Sequence, residues 1–323
     1  MRQRPKSRIS VLLLTRNHAR YLKRSLGLIV RQARACRAAL CAFDTSSSDG
    51  SADLLRDAGF RVTVIAPEEF GHGRTRNVAA AAAGGEIVVF LNGDAVPRDA
   101  WLKGLLGGFA MHPDVAGVFS RQVPPPGTDP LRRADIEGHP AFGSDIPWVV
   151  HLDSGIPADI SPAAARALYT FDTVSCAVKT EVIEDAPFPD VAFGEDLLWG
   201  KAVLERGRRL VYAPASVVEH CHDLYAHPMD LVRRHFADAM LARKAAGAAA
   251  PGPLSFFAFM AGAARRDFAR IAESDMDVPS KAAWAAFEPA ARTLQFLAIQ
   301  AGAIGEHLPP AVRDFLSWTR KGA

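Results

Sequence analysis

The run Phe193-Gly194-Glu195-Asp196-Leu197-Leu198-Trp199-Gly200 sets two carboxylates side by side ahead of an apolar stretch. Acidic side chains in a first helical turn accept orphan backbone N–H groups and suit the positive end of the helix dipole. A carboxylate held there can equally take a proton from a reacting hydroxyl. Other polar residues gather where apolar runs stop. Thr15, Arg16 and Asn17 follow "RISVLLL", Asp44 follows "AALCAF", Asn92-Gly93-Asp94 follows "EIVVFL", and Arg76 and Asn77 lie in "RTRN" between the last two. An aspartate at a strand end before a serine-rich turn can hydrogen-bond a nucleobase or ribose. A second aspartate on a tight glycine turn can hold a hard divalent cation against a diphosphate. Ordinary turn aspartates, which bond their own backbone, look the same. His220-Cys221-His222 puts two imidazoles on one strand face, where they could simply pack or meet solvent, and the spacing is too tight for a structural zinc site.

These residues can meet only if the elements around them bring them together. "RISVLLL" (8–14) is a continuous apolar run of the kind found in a strand buried on both faces. Leu22, Leu26, Ile29, Val30 and Ala33 then mark one face of a helix. "AALCAF" (38–43), "RVTVI" (61–65) and "EIVVFL" (86–91) read as further strands, separated by a short helix closed by Gly59 and an alanine-rich helix stopped by Gly84-Gly85. Such alternation predicts an α/β fold, a mostly parallel sheet flanked by helices, whose ligands lie at the strand carboxyl ends. Beyond Val123 the segments 124–133 and 138–148 read as loops. "YTFDTVSCAV" (169–178) reads as a strand, a helix opens at Glu195-Asp196, and two short strands (209–213 and 216–220) follow. A helix with Pro228 in its first turn leads to the linker "AAAPGP" (248–253), and 254–320 carry helical patterning only.

The chain has 323 residues, enough for one large domain or two ordinary ones. Its 49% hydrophobic and 23% charged composition is that of a globular protein. A net charge of +3 with no concentrated basic face argues against nucleic acid as a partner. The apolar run Ile9 to Leu14 is too short for a signal sequence or a membrane span, and Cys36, Cys41, Cys176 and Cys221 lack metal-like spacing. The expectation is a cytoplasmic protein with reduced thiols.

Taken together, "FDTSSSDGS", "EEFGHGRTRNVAAAAAGGEIVVFLNGDAVP", "GVFSRQVPPPGTDP" and "FGEDLLWGKAVLERGRRLVYAPASVVEHCHD" occur in the order and spacing of family 2 glycosyltransferases. The chain resembles their rhamnosyltransferase branch over roughly residues 8–245. The resemblance implies a GT-A fold over 1–246, with a C-terminal helical extension over 247–323. It implies an inverting transfer of rhamnose or a similar hexose from a nucleotide-diphosphate donor to a hydroxyl of a saccharide or lipid-linked saccharide. Thr15, Arg16, Asn17 and Asp44 would line the nucleobase and ribose pocket, with Arg76, Asn92 and Gly93 near the nucleotide. Asp94 would bind Mg2+ or Mn2+, although the family's Asp-x-Asp motif begins here with Asn92. His220, or else His222, would complete the metal site. Asp196 would be the general base, kept ionised by the helix dipole, while Glu195 orients the loop or binds an acceptor hydroxyl.

The tail "PLSFFAFMAGAARRDFARIAE" (253–273) reads as a helix packing on the catalytic domain or as a membrane-surface helix with Arg265, Arg266 and Arg270 at anionic headgroups. That second reading carries peripheral contact with the inner face of the plasma membrane. Two other classes compete with the transferase. A sugar-1-phosphate nucleotidyltransferase would want a glycine-rich basic loop after the first strand, and "LLTRNHARYLK" has no glycine there. A non-catalytic nucleotide-sugar binding module would tolerate loss of the base, yet Asp94, Asp196 and His220 are all present.

Overall fold

The computed structural model describes residues 8–152, 162–220, 222, 224–247, 252 and 255–317. In chain order the elements are β1 (Ile9–Thr15), α1 (Ala19–Ala35), β2 (Ala39–Asp44), α2 (Ser51–Asp57), β3 (Arg61–Val64), α3 (His72–Ala83), β4 (Ile87–Asn92), β5 (Val96–Pro97) and α4 (Trp101–Gly108). Then come β6 (Val115–Val123), α5 (Pro130–Glu137), β7 (Trp148–Val150), α6 (Pro162–Tyr169), β8 (Ser175–Lys179), α7 (Thr180–Asp185), α8 (Glu195–Glu205) and β9 (Arg209–Glu219). Four helices close the chain: α9 (Pro228–Ala246), α10 (Ser255–Glu273), α11 (Val278–Ala303) and α12 (Pro310–Leu316).

The strands form one sheet in the order β3-β2-β1-β4-β8-β6-β9-β5, with β7 pairing on β9. β3, β2, β1 and β4 run parallel, as strand–helix alternation demands. Beyond them the sheet is mixed, because β8 is antiparallel to both β4 and β6 while β6 and β9 are parallel. β1 shows why its sequence is apolar without a break. Val11 and Leu13 enter a core with Leu22 and Ile29 of α1 and Trp101 of α4, whereas Leu12 and Leu14 face Ala79 of α3 and Trp199 of α8 on the other side. Each such buried leucine contributes about 1.5–3 kcal/mol through the apolar surface removed from water.

Three local expectations change. The segment 124–133 is not loop throughout: the Asp129 carboxylate accepts from Arg132 N–H at 2.8 Å, Pro130 follows, and α5 starts there. The strand expected over 169–178 is only Ser175–Lys179, because Asp172 accepts from Val174 N–H at 2.9 Å and bends the chain ahead of it. The two short strands at 209–220 are one strand, β9, whose pairing with β6 slips between Ser120 and Arg121. Most of the expected linker at 248–253, like Cys221, lies outside the described residues. The C-terminal helices do not stand apart. Leu131 of α5, Leu224, Tyr225, Leu231 of α9, Ile271 of α10 and Ala291 of α11 form a third apolar cluster.

Candidate active site

The parallel strands end together. Leu14 lies beside Asn92 and Thr15 beside Asp44, so the polar residues after the apolar runs share one sheet edge. The turn after β4 closes tightly onto β1, with Gly93 N–H donating to Leu14 O at 2.8 Å. A Cβ on Gly93 would stand 2.6 Å from both Thr15 Oγ1 and His18 Nδ1, so only glycine fits. That turn aims Asp94 at the end of β9. Its Oδ2 is 3.7 Å from His220 Nε2, and ligand atoms of Asp94, His220 and His222 all lie within 4.8 Å of one another. Asp94 Oδ1 and His220 Nε2 are buried and have no hydrogen-bond partner. Burial penalises the Asp94 charge, but the imidazoles of His220, His18 and His222 outweigh it and hold the carboxyl well below the usual range. Two nitrogen donors and an ionised oxygen, two of their atoms unsatisfied, fit a divalent cation.

The first strand ends meet the serine-rich turn through polar contacts. Asn17, in the left-handed region at φ 55, donates its backbone N–H to Ser47 Oγ at 2.8 Å, and its Oδ1 accepts from Ser48 N–H at 2.9 Å. Asp49 accepts from Ala19 N–H at 2.8 Å and so caps α1 from another loop. Asp44 is buried and accepts from the Ser47 N–H and hydroxyl at 2.9 and 2.6 Å, which is the geometry of a turn aspartate. Arg16 is half-buried and Asn17 exposed, so of this group they remain open to a ligand.

Arg76 lies beside the turn that ends β4. Its guanidinium is sealed inside, donating to His72 O at 2.9 Å and to Glu195 Oε1 at 2.8 Å, with longer contacts of 3.4 Å to Asn92 Oδ1 and Thr173 O. It thereby ties α3, the end of β4 and the start of α8 together. Glu195 is engaged in that contact, also accepting from the Thr173 hydroxyl at 3.4 Å. Both contacts use Oε1, so its position fits an orienting group and engages one of its two carboxylate oxygens.

Helix α8 begins after Gly194, which has φ 77 and no side chain to cap it. Asp196 supplies the missing acceptor, taking Leu197 N–H at 2.8 Å. The capping role is therefore real, and it leaves the second carboxylate oxygen for other work. The expectation of a depressed Asp196 pKa fails. Burial, then the charges of Glu195 and Asp172, push it up to about 7, against a smaller opposing pull from the Leu197 N–H and Arg76. At this helix start, desolvation and two like charges outweigh the dipole.

Three residues near these groups carried no sequence signal strong enough to single them out. His18 sits against Thr15 and Gly93. Asp172 lay inside an apparent strand. Gln122, in "SRQV", bridges the two halves of the site: its Oε1 is 2.8 Å from His220 Nδ1 and its Nε2 donates to Asp172 Oδ2 at 2.7 Å.

Comparison with known proteins agrees with this architecture. Residues 10–155 match the model of glycosyl transferase family 2. An O-antigen chain rhamnosyltransferase of Salmonella typhimurium is 24% identical over 201 residues, 61% of this chain and 60% of the relative. A pre-mycofactocin glycosyltransferase of Mycobacterium tuberculosis is 30% identical over 219 residues, 66% of this chain and 43% of that protein. The chain thus spans about half the length of these curated relatives. Among solved structures, a mannosyltransferase from Pyrobaculum calidifontis in complex with GDP-Man and Mn2+ aligns with a TM-score of 0.56 at 19% identity, covering 93% of this chain and 88% of that one. The strand order, the matched segment and the solved neighbour together show a GT-A fold and relate residues 10–155 of this chain to glycosyl transferase family 2.

Proposed function

We propose that the chain is an inverting, metal-dependent glycosyltransferase that moves a hexose, rhamnose or one like it, from a nucleotide-diphosphate donor to a hydroxyl of a saccharide or lipid-linked saccharide. The observation that carries this is the pair of unsatisfied buried atoms, Asp94 Oδ1 and His220 Nε2, joined through Gln122 to Asp172, whose charge acts on the Asp196 carboxyl. Asp94 and His220, with His222 beside them, would hold Mg2+ or Mn2+. Such an ion would offset negative charge on the departing diphosphate. Arg16 and Asn17 would contact the nucleoside, with the buried Thr15 and Asp44 shaping its pocket from behind and Asn92 and Gly93 shaping the turn beneath the phosphates. Asp196 accepts the acceptor hydroxyl proton while that oxygen bonds the anomeric carbon and the bond to the diphosphate breaks on the opposite face. A base with a pKa near 7 suits that step at neutral pH. Glu195 and Arg76 position it.

The rhamnosyltransferase relative and the GDP-Man and Mn2+ bound neighbour support the sugar and cofactor class of this reading. A saccharide or lipid-linked acceptor in cell-surface polysaccharide synthesis, acted on from the cytoplasmic side, is part of the proposal. So is the division at 246/247 into a catalytic domain and a helical extension. The test is calorimetric binding of a panel of UDP-, GDP- and dTDP-sugars with and without Mn2+. Asp94→Ala should remove the Mn2+-dependent part of donor affinity, and His220→Ala should weaken it more than His222→Ala. Unchanged metal dependence in Asp94→Ala would overturn the assignment of this site.

A further inference from the structure

His220 can bind a cation through Nε2 only if that nitrogen carries a lone pair and not a proton. Gln122 decides which nitrogen is protonated. It lies on β6 with its side chain buried, and β6 also holds the His220 backbone, whose N–H donates to Val123 O at 3.1 Å. The two ends of the Gln122 amide have different partners. Asp172 Oδ2, 2.7 Å away, belongs to a carboxylate that already accepts Val174 N–H at 2.9 Å on its other oxygen. The amide NH2 must face it. The amide oxygen then faces His220 Nδ1 at 2.8 Å, and an oxygen that can only accept requires Nδ1 to be the protonated nitrogen. In the neutral ring Nε2 then carries the lone pair, without a hydrogen-bond partner and 3.7 Å from Asp94 Oδ2. A histidine ligand whose other ring nitrogen is fixed by a hydrogen bond is the usual way a protein sets tautomer and ring orientation at a metal.

We propose that Gln122 is a positioning residue of the transfer site: its carbonyl oxygen fixes His220 as the Nδ1–H tautomer with Nε2 free for a divalent cation, and its amide group holds Asp172 beside Asp196. One side chain thus joins the cation-binding half of the site to the carboxylate half. This inference rests on the reading of Asp94 and His220 as cation ligands.

The experiment titrates the full chain with Mn2+ alone by calorimetry, comparing wild type, Gln122→Met and His220→Ala, and reads the His220 ring nitrogens by 15N NMR without metal, His220→Ala supplying the assignment. Wild-type His220 should show protonated Nδ1 and unprotonated Nε2. Gln122→Met, close in length and apolar, should lose that pattern and bind Mn2+ about 10- to 100-fold more weakly, the scale typical of losing a ligand's hydrogen-bond partner. Gln122→Met that melts lower yet binds Mn2+ like wild type would reduce Gln122 to packing and overturn the inference. Wild-type His220 protonated on Nε2 overturns it without any variant, whether or not Gln122→Met folds. If His220→Ala leaves Mn2+ affinity unchanged, the cation reading itself fails and this inference with it, a result distinct from a failure at Gln122 alone.

Discussion

Asp196 satisfies the start of a helix with one oxygen and keeps the other for the proton transfer proposed for it. One oxygen accepts Leu197 N–H, and the carboxyl sits near Glu195 and Asp172 with its pKa raised to about 7. The sign of the consequence follows. A carboxyl that binds its proton more tightly in the folded chain than in the unfolded one favours folding below its ordinary value of about 4, and that contribution is lost as pH rises through about 7. Asp196→Asn cannot ionise, so it should melt higher than wild type at pH 8, with the difference shrinking toward pH 4. In wild type, kcat should rise with pH along a limb centred near 7, because the base works only when deprotonated. A flat kcat profile from pH 5.5 to 8.5, at saturating substrates with chemistry rate-limiting, would remove Asp196 from that role. The cap was legible from residue types, because a Glu-Asp pair at a helix start announces one. The direction of the shift was not, since it depends on Asp172, which is far from Asp196 in sequence and near it only after folding.

Among the elements, the coupling of α3 to α8 shapes the site most. Arg76 reaches from α3 to Glu195 in the first turn of α8, and the two side chains are 1% and 8% exposed. Removing one partner of such a pair leaves a buried charge without compensation. Arg76→Met should therefore lower unfolding free energy by about 3–5 kcal/mol in a denaturant titration. If Arg76 served mainly to contact a nucleotide, the same change would cost donor affinity and leave stability nearly intact. The elements themselves were readable where apolar periodicity was long: β1, β2 and β4 lie within a residue of their expected places, α1 contains its expected apolar face, and α3 stops at the expected Gly84-Gly85. They failed where short-range polar contacts decide the backbone. Asp129 starts α5 in a segment rich in proline, Asp172 bends the approach to β8, and β9 runs through Pro214 as a single strand. The register slip opposite Ser120 is a property of the pairing with β6, which no stretch of β9 alone displays.

At the scale of the whole molecule, the C-terminal helices are tied to α5 and the segment after β9 by a buried charge network. Arg292 of α11 donates to Asp267 of α10 at 2.6 and 2.9 Å and to the Tyr225 hydroxyl at 2.6 Å, and it pairs with Asp135 of α5 at 2.9 Å. Tyr225 lies just beyond His220 and His222, so the extension braces the segment that follows the candidate cation site. The aromatic cluster of the tail divides accordingly. Phe256 and Phe259 meet Phe296 of α11 at ring distances of 5.2 and 5.5 Å, whereas Phe257 is 70% exposed. None of the described helices is long and apolar enough to cross a membrane, so any bilayer contact by them would be peripheral. Packing on α11 already accounts for two of the three phenylalanines, and the intact chain is expected to stay in the supernatant with anionic vesicles at physiological salt. Co-sedimentation that Phe257→Ser abolishes would show instead that this helix serves a lipid surface. The proposed transfer needs Asp196 to act as a base and not only as a cap, and a nearly isosteric change separates the two. Asp196→Asn keeps the volume and one acceptor oxygen, and asparagine caps helices as well as aspartate does. With a nucleotide sugar and acceptor at saturation, turnover should fall by about 10²-fold or more while donor and Mn2+ affinity remain near wild type. Full turnover in Asp196→Asn under those conditions would contradict the assignment.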